Sequence, residues 1–165
     1  MTTWSTVKEV WAVTILMSFA GILAACSTYK ASLTLRPAQE VVGASGGSKI
    51  FGEREMGIAQ GIVGQIAEEQ EMRSVPGPYD PSFTKPYRLL SMFRGPGDNR
   101  HVLMSAAVKE DQSEIVFVIT DQEHNSETEF TGELWRRLQQ EVSERLAGYA
   151  VAEEKSSTIR NPLAP

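Results

Sequence analysis

Side chains able to do acid–base or metal chemistry are sparse here, and most of them sit in one stretch. The histidines are His101 and His124, and Asp121 and Glu123 lie just before the second of them. A histidine among carboxylates can bind a divalent cation. The competing reading is a solvated polar turn leading into a helix. The sequence favours that turn, because the paired-histidine spacing of helical zinc sites is absent. No metal ligand, catalytic residue or cofactor is therefore assigned. His101 follows Arg100 at the start of a predicted strand and reads as an edge or surface residue rather than a catalytic base. Residues 43–49 superficially resemble a phosphate loop. In that loop Lys is followed by Ser or Thr, whereas here Ser48 precedes Lys49, so a flexible linker is expected. The carboxylate pairs Glu68-Glu69 and Glu153-Glu154 read as solvated surface. Cys26 is the single cysteine.

The elements that position these residues follow from periodicity. Residues 29–36 alternate, with Tyr29, Ala31, Leu33 and Leu35 set against Lys30, Ser32, Thr34 and Arg36, the pattern of a half-buried strand. Pro37 ends it, and residues 27–30 are expected to begin as a short tether. Residues 53–73 read as a helix with Met56, Ala59, Val63, Ile66 and Ala67 on one apolar face. Gly57, Gly61 and Gly64 weaken that helix and are expected to allow close approach of a neighbour. After a proline-rich loop come strands over 87–93, 101–109 and 114–120, joined by connections too short for crossovers and hence antiparallel. The unbroken apolar run Ile115, Val116, Phe117, Val118 and Ile119 marks the central strand. A second helix begins near Ser126 or Thr128 and runs to about residue 147, with Phe130, Leu134, Trp135, Leu138, Val142 and Leu146 inward. Gly148 stops it, and residues 151–165 are expected to be a disordered tail. The result is an α+β two-layer sandwich: a short antiparallel sheet, made of a three-stranded meander plus an amino-terminal strand, with two amphipathic helices on one face.

Residues 10–25 are almost entirely apolar or small, too short for an ordinary spanning helix, and they end in Leu23-Ala24-Ala25-Cys26. Those four residues resemble the lipobox of bacterial lipoprotein signal peptides. The resemblance implies removal of residues 1–25, acylation of Cys26, and attachment to a membrane through the acyl chains. Ser27, in place of an aspartate, resembles the pattern that sends Gram-negative lipoproteins to the outer membrane, facing the periplasm. Lys8 is offset by Glu9, so the amino-terminal region is less basic than in most signal peptides. An uncleaved amino-terminal anchor and a structural buried cysteine are the alternatives.

Residues 26–150 would then form one periplasmic domain. Its formal net charge of −5 argues against nucleic acid and against a polybasic supplement to membrane attachment. With one cysteine there is no internal disulfide, so packing alone must hold the domain together. Tyr79, Phe83, Tyr87, Arg88 and Arg94, in and beside the proline-rich loop, are the best candidates for a protein-binding surface, since interface centres favour aromatics and arginines. The expected function is that of a non-enzymatic envelope accessory or scaffold bound to a protein partner. The alternative is a module that binds a small ligand, lipid or cell-wall material in a pocket between helices and sheet.

Overall fold

A computed structural model describes residues 27–37, 50–76 and 86–159. Its fold is α+β, as the periodicity implies, with one antiparallel sheet larger than expected. In chain order the elements are β1 (Ser27–Pro37), α1 (Glu53–Glu69), β2 (Arg73–Ser74), β3 (Tyr87–Arg94), β4 (Val102–Lys109), β5 (Ile115–Asp121), α2 (Glu129–Arg145) and β6 (Tyr149–Ile159). The sheet order is β2-β3-β4-β5-β1-β6. The predicted meander is β3-β4-β5, and β1 adds to it beside β5.

Two strands escaped the sequence reading. β2 is a two-residue edge strand on β3. β6 occupies most of the segment expected to be a disordered tail and pairs with β1 along its whole eleven-residue length, from Ser27 opposite Ile159 to Pro37 opposite Tyr149. The reading of 151–165 as disordered is corrected over 151–159. The short tether expected over residues 27–30 is corrected as well, because all four lie in β1.

Alternation in β1 puts Tyr29, Ala31, Leu33 and Leu35 on the helix-covered face, with Val102, Met104, Ala106 and Val108 of β4 and Ile115, Phe117 and Ile119 of β5. Against them lie Met56, Ala59, Ile62, Val63, Ile66 and Ala67 of α1 and Leu134, Trp135, Leu138 and Val142 of α2. Phe51, Phe117, Ile62, Ile66, Leu134 and Leu138 fill the space between the layers, each less than 2 % exposed. In β4 and β5 the alternate residues Leu103, Ala107, Val116 and Val118 are buried too, which accounts for the unbroken apolar run in β5. No helix among the described residues is long and apolar enough to cross a membrane.

Helix ends are set by local chemistry. At the start of α1 the Glu55 carboxylate accepts the Gly52 N–H at 3.0 Å. The helix ends four residues before the expected boundary because Glu71 takes a left-handed conformation, φ 54°. Met72 N–H then reaches back to the Ala67 carbonyl at 2.8 Å, and Glu71 N–H to Glu68 at 3.2 Å, the paired bonds of a Schellman motif. The cap of α2 is Thr128: its Oγ1 accepts from Thr131 N–H at 3.3 Å, while Thr128 N–H donates to Thr131 Oγ1 at 2.8 Å. Of the three glycines in α1 only Gly61 meets a neighbour, Arg145 of α2; Gly57 and Gly64 face open space, so the close approach expected of all three holds at one.

Candidate functional site

The β4–β5 hairpin brings together residues twenty positions apart in sequence. Val102 stands opposite Asp121, and one step further on Gln122 N–H donates to the His101 carbonyl at 3.1 Å. His101, at the start of β4, is thereby held beside the end of β5. On the other side of β5, Asp121 stands opposite Tyr29 of β1.

Asp121 closes β5 and shapes the turn that follows. Its Oδ1 accepts the backbone N–H of Glu123 at 3.0 Å and of His124 at 2.9 Å, the local bonding for which aspartate is favoured in turns. The side chain is fully buried. The turn places His124 Nδ1 3.0 Å from Asp121 Oδ2 and 3.1 Å from Oδ1. His101 approaches the same carboxylate, with Nε2 3.5 Å from Oδ2, and its Nδ1 lies 3.5 Å from Glu123 Oε2. The two imidazoles are 4.9 Å apart at their centroids and tilted by 55°, so they converge by their edges rather than stack. One donor atom from each of His101, Asp121 and His124 falls within 4.8 Å of the other two. His101 is nearly buried and His124 about half exposed, so the cluster is closed on one side and open to water on the other.

The expectation for Asp121, Glu123 and His124 was a solvated turn. Burial of Asp121 corrects that reading for the aspartate. His101, expected at an edge or on the surface, is instead a nearly buried member of the cluster. A buried carboxylate flanked by two imidazoles can relay a proton or hold a cation.

A second polar network lies at the same end of the sheet. Tyr29 donates its hydroxyl to Glu127 Oε2 at 2.8 Å, and Lys155 of β6 pairs with the same oxygen while its ammonium lies over the Trp135 ring. Burial, together with the facing Glu127 carboxylate, pushes the Tyr29 phenol well above its ordinary range. Lys155 and Tyr29 hold the Glu127 carboxyl below its own.

The residues expected to form a protein-binding patch fare differently. Tyr79 and Phe83 lie outside the described residues, as does Cys26. Tyr87 and Arg88 are consecutive in β3 and leave opposite faces of the sheet. Tyr87 donates to Glu114 Oε2 at 2.8 Å, and burial, with that carboxylate, pushes its phenol up to about 12. Arg88 Nη2 lies 3.5 Å from Met56 Sδ on α1. Arg94 stands at the far end of β3, opposite Arg73 of β2. The three therefore do not form a single patch.

Comparison with protein-family models, with curated proteins and with solved structures returns no match to this chain.

Proposed function

We propose that the chain is a lipid-anchored protein of the bacterial envelope, held at the outer membrane by acyl chains on Cys26, facing the periplasm and acting as a non-enzymatic accessory to a protein partner. The observation that carries the anchor is in the sequence: residues 10–25 are almost entirely apolar or small and end in Leu23-Ala24-Ala25-Cys26, with Cys26 the single cysteine.

With β1 starting at Ser27, acyl chains on Cys26 would hold the domain without a spacer, at the end of the sheet that carries Tyr29, Asp121 and His101. More than one acyl chain is needed for durable attachment, since each buried methylene contributes about 0.8 kcal/mol.

For the partner, the supporting geometry is at the outer edge of the sheet. Ser74 pairs with Phe93 near one end of β3, and Tyr87 begins the other end. The connection carrying Tyr79 and Phe83 thus joins points roughly 20 Å apart along that edge.

Cells fed labelled palmitate should mark the wild-type chain and leave Cys26→Ser unlabelled. Equal labelling of Cys26→Ser, or a mature protein that retains Met1, removes the anchor. Crosslinking in intact cells should join the chain to one partner, and a variant with Tyr79→Ala, Phe83→Ala and Arg94→Glu should lose that adduct while staying in the membrane fraction. An adduct unchanged in the triple variant removes this contact surface.

A further inference from the structure

We propose that His101, Asp121 and His124 form a binding site for a divalent transition-metal ion of the zinc type. The inference rests on the described fold alone and is independent of acylation at Cys26.

Spacing is the first support. In a tetrahedral zinc site, bonds of about 2.0–2.1 Å put neighbouring donor atoms about 3.3 Å apart. Asp121 Oδ2 lies 3.0 Å from His124 Nδ1 and 3.5 Å from His101 Nε2, which brackets that value. All three donor atoms lie within 4.8 Å of one another, so small side-chain rotations close the set around one ion.

The division of labour within Asp121 is the second. Oδ1 is held by two backbone N–H groups, which fixes the carboxylate plane and turns Oδ2 toward both imidazoles. A carboxylate this buried needs compensating positive charge or hydrogen bonds. The backbone N–H groups of Glu123 and His124 supply the hydrogen bonds and a divalent cation the charge, and with two neutral imidazoles the site carries a net charge of about +1.

The outer partner of His101 is the third. Its Nδ1 faces Glu123 Oε2 at 3.5 Å while Nε2 faces the site. A carboxylate behind a ligating histidine fixes the ring's orientation and raises its basicity, and this arrangement accompanies most metal-bound histidines. His124 is about half exposed, so a fourth coordination position opens to water. Imidazole donors favour zinc, copper, nickel or iron over magnesium and calcium.

The test uses the full-length chain in detergent, purified without a histidine tag and carrying Cys26→Ser so that no thiol competes. Titration with zinc chloride should show one equivalent bound and a raised unfolding temperature, with no response to magnesium. Cobalt(II) should develop the visible absorption of a low-symmetry site, and zinc should abolish it. His124→Ala, at a half-exposed position that leaves the core intact, should weaken zinc binding about tenfold or more, and Glu123→Gln about tenfold, the range for outer-shell partners. Absence of zinc binding, or unchanged affinity in His124→Ala, overturns the proposal. His101→Gln serves as a second ligand variant, and if it fails to fold His124→Ala decides alone.

Discussion

Tyr29 and Glu127, ninety-eight residues apart, meet through a 2.8 Å hydrogen bond that ties β1 to the approach to α2. Lys155 of β6 pairs with the same carboxylate. Three segments thus share one charged group at the end of the sheet where His101 and Asp121 also lie.

The pH dependence of this bond follows from its donor. Folding raises the Tyr29 phenol above its ordinary 10.0, and Tyr87, facing Glu114, is raised to about 12. A group whose folded pKa is raised stabilises the fold fully below its unfolded pKa, and that contribution disappears as pH rises through the folded value. The share of the native tyrosinate absorbance that comes from Tyr29 and Tyr87 should therefore appear well above pH 10, later than in urea, and stability should fall steeply from about pH 10 to beyond about pH 12. Tyr29→Phe should cost about 1 kcal/mol at neutral pH and reduce the alkaline loss. A native titration that overlays the urea titration refutes this.

The left-handed Glu71 makes a second prediction. A side chain in that conformation costs roughly 1–2 kcal/mol relative to the right-handed alternative, and glycine avoids the cost. Glu71 is exposed and closes a Schellman motif in which glycine is the usual occupant. Glu71→Gly should raise stability by about 0.5–1 kcal/mol, after allowance for the extra freedom of glycine in the unfolded chain. Glu71→Ala should gain nothing. Urea denaturation of the two variants beside wild type decides it, and equal effects of Gly and Ala would contradict the backbone explanation.

Most of the layout is legible in the sequence because it is written in apolar periodicity. The alternation in β1, the three-and-four spacing in α1 and α2, and the unbroken run in β5 all come from burial, which demands particular side chains at particular intervals. What escaped is held by other means. β6 reads Tyr-Ala-Val-Ala-Glu-Glu-Lys-Ser-Ser-Thr-Ile, and residues 151–157 are exposed on both faces. Its pairing with β1 is a backbone matter, so no side-chain pattern announces it. Glu141 lies on the buried face of α2, three residues after Leu138, and is tolerated there because Arg137 and Arg145 reach its two oxygens. His101 was recoverable in principle. Once the β4–β5 hairpin is folded about its turn, register alone carries residue 101 to residue 122, beside Asp121.

β6 can be tested by truncation. Ending the chain after Gly148 removes the strand, the Phe51–Tyr149 ring contact with centroids 4.9 Å apart, and the Lys155 pairing to Glu127. It also leaves β1 as an open edge with its apolar residues on one face, a template for association between chains. The truncated chain should lose on the order of 1–3 kcal/mol, since backbone bonds of about 1 kcal/mol each are largely offset by the cost of ordering an exposed strand. It should also sediment as higher oligomers. Ending the chain after Ile159 should change neither property. Equal stability of the two truncations would show that β6 contributes nothing to the fold.

Arg137 on α2 grips Glu69 at the end of α1 through two bonds, Nε to Oε2 at 3.0 Å and Nη2 to Oε1 at 2.9 Å. The same Nη2 lies 3.0 Å from the buried Glu141 carboxylate, whose other oxygen is 3.5 Å from Arg145. The Arg137 guanidinium, aided by Gln65, holds the Glu69 carboxyl down at about 2 against an ordinary 4.5. A group with a lowered folded pKa stabilises the fold above its unfolded pKa, and the contribution drains away as pH falls toward the folded value. The clamp between helices should therefore weaken between pH 4.5 and about 2. Glu69→Gln should flatten the acid limb of the stability curve over that window while changing little at neutral pH, because the pair is solvent-exposed and screened. Arg137→Ala should be the more damaging change at neutral pH, since it also strips one of two partners from a buried carboxylate. Its effect should still fall below that of Leu138→Ala, a core truncation expected to cost about 2–5 kcal/mol. The decisive measurement is a double-mutant cycle of Arg137→Ala with Glu69→Gln at neutral pH and again near pH 3. A coupling that persists undiminished in acid, or a neutral-pH cost of Arg137→Ala no larger than that of Glu69→Gln, contradicts the arrangement in which Arg137 serves the exposed and the buried carboxylate at once.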